Sequence, residues 1–84
     1  MSSDELTNET IETLKELEED SNIPKNVKIK IQSIIDILKE DSETSIKVNK
    51  ALNELDEISN DPNLEAYTRT QLWNIVSLLE KINH

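Results

Sequence analysis

The segment PKNVKIKIQSIIDILKE, residues 24–40, carries Val27, Ile31, Ile34, Ile35 and Leu38 at steps of three, four and one, so all five fall on one stripe of an α-helix. Pro24 suits a first helical turn, because the N–H it lacks would have no intrahelical partner there. Working outward, Asp4 to Asp20 shows the same period through Leu6, Ile11, Leu14 and Leu17. Glu43 to Ser59 shows it through Val48, Ala51, Leu52, Leu55 and Ile58, with Ser42 as the expected N-cap. Leu64 to Ile82 shows it through Leu72, Ile75, Val76 and Leu79, after the turn-rich stretch Asn60-Asp61-Pro62-Asn63. Short connections make sequential helices antiparallel neighbours. The pattern predicts an all-α protein: one domain over residues 1–84, a four-helix up-and-down antiparallel bundle made of hairpins 4–40 and 43–82.

The two hairpins align with each other at an offset of 41 residues. Asn8, Leu14, Glu16, Asp20, Asn22, Ile34 and Leu38 meet Asn49, Leu55, Glu57, Asp61, Asn63, Ile75 and Leu79. Conservative pairs such as Ile11/Leu52, Leu17/Ile58, Ile23/Leu64, Lys28/Arg69, Ile31/Leu72 and Ile35/Val76 keep the apolar phase through the turn. The hairpins thus read as a pseudo-repeat whose spacing, with an aspartate-rich turn and a basic residue early in the second helix, looks like a HEAT-type hairpin. Two such units leave open ends, so they either close into a bundle or pair with another copy.

Composition narrows the function classes. A chain of 84 residues hides only roughly 60–65% of its unfolded surface, enough for one modest core. That core is aliphatic, since there is no Phe, one Tyr67 and one Trp73, too little aromatic surface for a base- or sugar-stacking platform. Glycine is absent, which disfavours tight hairpin turns and phosphate-cradling loops. Cysteine is absent too, and with it disulfides, thiolate metal sites and Cys nucleophiles. The start MSSDELTNET is no signal peptide, and no stretch reaches the roughly 20 apolar residues of a membrane span, so a cytoplasmic location is expected. A net charge of −9 opposes direct binding to nucleic acid or to anionic membranes.

Two segments, LDEISNDPN (Leu55 to Asn63) and TRTQLWNI (Thr68 to Ile75), resemble the small archaeal uncharacterised protein family numbered zero-one-four-seven. The resemblance covers nearly the whole chain. It implies a compact four-helix bundle in an archaeal cytoplasm and implies no known reaction or partner. The chain departs from the family's pattern at Glu65, where relatives often carry a proline after the Asn-aliphatic pair, as Asn22-Ile23-Pro24 does here.

No constellation in the sequence carries chemistry. General acid–base work needs titratable groups converging in a dry pocket, and His84 is the C-terminal residue. Asp56, Glu57 and Asp61 with Asn60 and Asn63 offer oxygen ligands. They lack the glycine and spacing of an EF-hand, though, and read as a helix end with turn caps. There is no Ser/His/Asp set, Gly-rich phosphate loop or Glu-x-x-His pair. The expectation is a non-enzyme with no catalytic, cofactor or metal residues and no evident small-molecule substrate.

What remains is surface. At 100° per residue Ile29 points about 160° from Ile31, and Ile46 about 180° from Leu55, so both face outward. Trp73 falls about 100° from Leu72, at the edge of the buried stripe, where it either packs as a boundary residue or anchors an interface. Arg69, the one arginine, either ties the acidic turn to the last helix or meets a partner's anion. The first segment holds Asp4, Glu5, Glu9, Glu12, Glu16, Glu18, Glu19 and Asp20 against Lys15 alone; Lys25, Lys28 and Lys30 open the second helix, badly placed for its dipole, and attraction to the acidic end of the first is expected to offset that. The sequence therefore points to a protein-interaction module or small accessory subunit that binds a protein partner or itself, with Ile29, Ile46, Trp73 and Arg69 as candidates. The alternative is an acidic regulator that mimics nucleic acid toward a cationic partner protein.

Overall fold

The computed structural model describes residues 2–82, and within them every regular element is helical: α1 (Ser3–Glu18), α2 (Lys25–Lys39), α3 (Thr44–Ser59) and α4 (Ala66–Ile82). Helices of 16, 15, 16 and 17 residues make up about three-quarters of the chain. Each turns its predicted stripe inward, and Leu14, Ile31, Ile34, Ile35, Leu55, Leu72, Ile75 and Leu79 are fully enclosed at the centre. The hydroxyl of buried Thr10 donates to the Leu6 carbonyl at 2.7 Å, so that polar group enters the core with its hydrogen bond made.

Neighbouring helices pack in a ring, α1 on α2, α2 on α3, α3 on α4 and α4 back on α1, while neither diagonal pair brings its Cα atoms within 8 Å. A stacked solenoid would instead lay α1 on α3 and α2 on α4, so the two hairpins close on each other rather than stack. The radius of gyration of 11.9 Å matches the roughly 12 Å expected for a globular chain of this length, as a closed ring requires.

The α1–α2 and α3–α4 turns make similar hydrogen bonds. In the first turn the Asp20 carboxylate accepts from the Asn22 N–H at 2.9 Å, and in the second the Asp61 carboxylate accepts from the Asn63 N–H at 2.8 Å. The N–H groups of Asp20 and Asp61 donate to the carbonyls of Leu17 and Ile58 at 3.1 and 2.9 Å. These side-chain caps let α1 and α3 stop at Glu19 and Asn60 with φ of −81° and −89°, and no described residue has positive φ. A chain without glycine can close such turns because aspartate supplies the hydrogen bonds instead. Asp61 does more than Asp20, since its second carboxylate oxygen accepts from the Asn26 side chain at 3.1 Å and so pins the α3–α4 loop to the start of α2.

Several boundaries differ from the sequence reading. The N-cap of α3 is Glu43 rather than Ser42, and no side chain caps that helix. Pro24 is the N-cap of α2, just outside the helix. The last helix begins at Ala66, so Leu64 belongs to the loop, yet it is buried like its counterpart Ile23 and plugs that end of the core.

Candidate interaction surface

The four candidate residues do not form one patch. Ile29 is 63% exposed near the start of α2, and Ile46 is 47% exposed in the first turn of α3, at the opposite end of the bundle. Trp73 is 62% exposed on α4, diagonal to α2 and therefore on the other side of the molecule from Ile29. It is not the packed boundary residue that its angle allowed. Tyr67, equally exposed, is an apolar surface residue that the sequence reading passed over. It lies about 140° from Leu72 by helical geometry, on the flank of α4 away from Trp73.

Trp73 has an apolar neighbourhood. Between α3 and α4 an open cleft of about 210 Å³ is lined by Leu52, Leu55, Asp56, Ser59, Leu72, Trp73 and Val76. Leu55 and Leu72 form its buried floor, Leu52 and Val76 are half-buried in its walls, and Trp73 and Asp56 stand exposed on its rim. At the same positions of α1 and α2, 41 residues earlier, Ile11 and Ile35 are buried. Isoleucine stands at 35 where the smaller valine stands at 76, and Gln32 stands where Trp73 does, its amide donating to Asp36 at 3.0 Å. The periodic pattern located the residues of both seams, but it does not register how far apart two helices sit.

Charges along the ring are disposed differently from expectation. Arg69 does tie the turn to α4, but through a hydrogen bond from its Nη2 to the Asp61 backbone carbonyl at 3.1 Å rather than an ion pair, and its Nε is buried without a partner. The lysines at the start of α2 do not pair with α1. Lys30 instead reaches across to α3 and donates to Glu57 at 2.9 Å and Glu54 at 3.1 Å. No carboxylate of α1 forms an ion pair among the described residues, where the three pairs are these two and Lys50 with Glu40. His84 lies outside the described residues. Among those described, no helix is long and apolar enough to cross a membrane, and no three His, Cys, Asp or Glu side chains gather as metal ligands would.

The Lys30 bridge carries a pH signature. Hydrogen bonds to Glu57 and then Glu54 hold its ammonium pKa above the ordinary 10.5. A base whose pKa is raised by folding stabilises the fold fully below its unfolded pKa, and that contribution is lost as pH climbs through the folded value. Urea midpoints are therefore expected to stay flat with respect to this residue at neutral pH and to fall at strongly alkaline pH, with a shallower alkaline fall in Lys30→Met. The bridge is solvent-exposed, so added salt should weaken it.

Comparison with known proteins returns one consistent group. Residues 1–82 match the model of an uncharacterised protein family, UPF0147. The chain is 37% identical over 81 residues to a UPF0147 protein of Methanosarcina mazei, covering 95% of this chain and 87% of that one. It is 41% identical over 70 residues to one from Methanocaldococcus jannaschii, covering 82% and 75%. A crystal structure of the protein of unknown function MMP1188 is similar to the fold with a TM-score of 0.84 at 36% identity, over 89% of this chain and 86% of that one.

Proposed function

Because the chain belongs to the uncharacterised protein family UPF0147, whose name assigns no activity, its role has to come from its surface, and we propose that it is a non-enzymatic protein-interaction module, a small accessory subunit of the cytoplasm that captures a partner's side chain in the α3–α4 cleft. The observation that carries this reading is the exposure of Trp73 beside an apolar cleft that the rest of the bundle leaves unfilled. Exposed aliphatics such as Ile29 and Ile46, scattered singly, are ordinary. An indole standing over half-buried Leu52 and Val76 is different, because tryptophan is enriched among the residues that anchor protein interfaces. The volume favours a side chain over a metabolite, since about 210 Å³ falls below the roughly 300–1,000 Å³ of pockets that enclose a small ligand.

The acidic α1 supports a second reading, in which its six carboxylates, with Glu19 and Asp20 just beyond it and none ion-paired among the described residues, compete for a cationic surface of another protein. Salt separates the two. Affinity capture from native cytosol is expected to return one partner that stays bound at high salt, rebinds as a purified protein, and is lost with Trp73→Glu. Partners that vanish with salt and ignore Trp73→Glu would replace this reading with acidic mimicry, because exposed charge interactions are screened while an apolar contact is not.

A further inference from the structure

The cleft runs along two antiparallel helices, from Leu52 to Ser59 on α3, about 10 Å at 1.5 Å per residue. Its lining offers a few polar groups, the Asp56 carboxylate, the Trp73 indole N–H and the Ser59 hydroxyl, which already donates to the Asp56 carbonyl at 3.0 Å, but no row of alternating donors and acceptors. The described residues form no strand, so there is no sheet edge for an extended segment to join. An extended chain laid here would find no ladder of partners for its N–H and C=O groups, whereas a helix arrives with its own satisfied.

Charge at the mouth specifies the helix further. The Asp56 carboxylate is exposed on the rim and makes no ion pair. Glu80, one helical turn beyond Val76 on the same stripe, is likewise exposed and unpaired among the described residues. The cation nearest Trp73 on that stripe is Arg69, half-buried and engaged with the Asp61 carbonyl. The rim is therefore acidic on a chain of net charge −9, which also opposes a second copy of the same chain as occupant.

Building on the proposed interaction role, we infer that the α3–α4 cleft receives a basic amphipathic helix of a partner protein, with an aliphatic side chain seated beside Trp73 and a lysine or arginine one turn away against Asp56. An apolar anchor sets the affinity and the Asp56 contact sets the sign of charge that is accepted.

The test uses the full chain and three synthetic 18-residue peptides: a Leu/Lys amphipathic helix, a Leu/Glu helix with the same apolar face, and a scrambled peptide of the Leu/Lys composition. Trp73 is the single tryptophan, so its emission reports binding directly. At about 0.15 M salt the Leu/Lys helix is expected to bind about tenfold tighter than either control, since only it matches both the apolar anchor and the rim. Val76→Asp should abolish that preference for helix over scramble. Asp56→Lys should shift the preference about tenfold toward Leu/Glu. Equal binding of scrambled and helical Leu/Lys peptides overturns the inference, because attraction would then be bulk charge alone. Equal or tighter binding of Leu/Glu overturns the basic character while leaving the cleft as a docking site. If no peptide prefers the cleft and the captured partner also ignores Trp73→Glu, both the inference and the proposed function fall.

Discussion

Ile31→Asp is expected to abolish cooperative folding at room temperature, whereas Ile29→Asp, two residues earlier on the same helix, should change stability by no more than about 0.5 kcal/mol. Ile31 is completely enclosed where α2 meets the centre of the bundle. A carboxylate there has no cation or donor in place to receive it, and the aliphatic burial is lost as well. The combined cost exceeds about 4 kcal/mol. At roughly 0.05–0.15 kcal/mol per residue, an 84-residue chain has only some 4–13 kcal/mol to lose. Ile29 is 63% exposed, and a carboxylate at that position would sit near Lys25 and Lys28 at the positive end of the α2 dipole. Urea unfolding followed by far-UV circular dichroism decides the matter. A loss of several kcal/mol in Ile29→Asp would place that side chain in the core and reverse the phase of α2.

That pair of neighbours shows why the bundle was legible in the sequence. Helical phase is a local property, and five aliphatics at steps of three and four in residues 24–40 settle which side of α2 is buried without reference to any partner helix. The same reasoning placed Leu14, Leu55 and Leu79 inside and Ile46 outside, as the structure has them. It failed where the answer depends on a second element. Ser42 has the chemistry of a cap, but the chain leaves α2 at Glu40 in an extended conformation and enters α3 at Glu43, so the hydroxyl sits one residue too early. Leu64 keeps the apolar phase of α4 although it precedes the helix, and burial alone cannot reveal that the backbone there is a loop. Lys30 was expected to answer α1 and instead bridges Glu54 and Glu57, because the choice between two acidic neighbours is made by the ring order of the helices.

The candidate site was legible by halves for a related reason. Trp73 stands out as the only indole, and its angle puts it at the edge of the stripe, but nothing in a single chain's periodicity says that Leu52 and Val76 are left half-buried beside a cleft while Ile11 and Ile35, in the same phase, are buried.

Truncating the matched positions of the two seams converts that asymmetry into a measurement. Ile11→Ala is expected to cost about 3 kcal/mol, since Ile11 is buried between α1 and its neighbours and its removal leaves a void. Leu52→Ala, at the equivalent position 41 residues on, should cost only about 1 kcal/mol, because its side chain is half in water already and the cleft it borders is open. Leu14→Ala and Leu55→Ala, fully enclosed at the next equivalent pair, serve as controls and should each cost about 3 kcal/mol, which shows that the halves are otherwise alike. Urea midpoints at unchanged m give the comparison. Equal losses at Ile11 and Leu52 would mean that α3 and α4 close against each other in solution. The exposed indole would then stand over a filled seam, and the docking role would lose the cavity on which it depends. A smaller loss at Leu52 than at Ile11, by about 2 kcal/mol, would instead mean that the second hairpin keeps apolar surface uncovered that the first hairpin buries for stability.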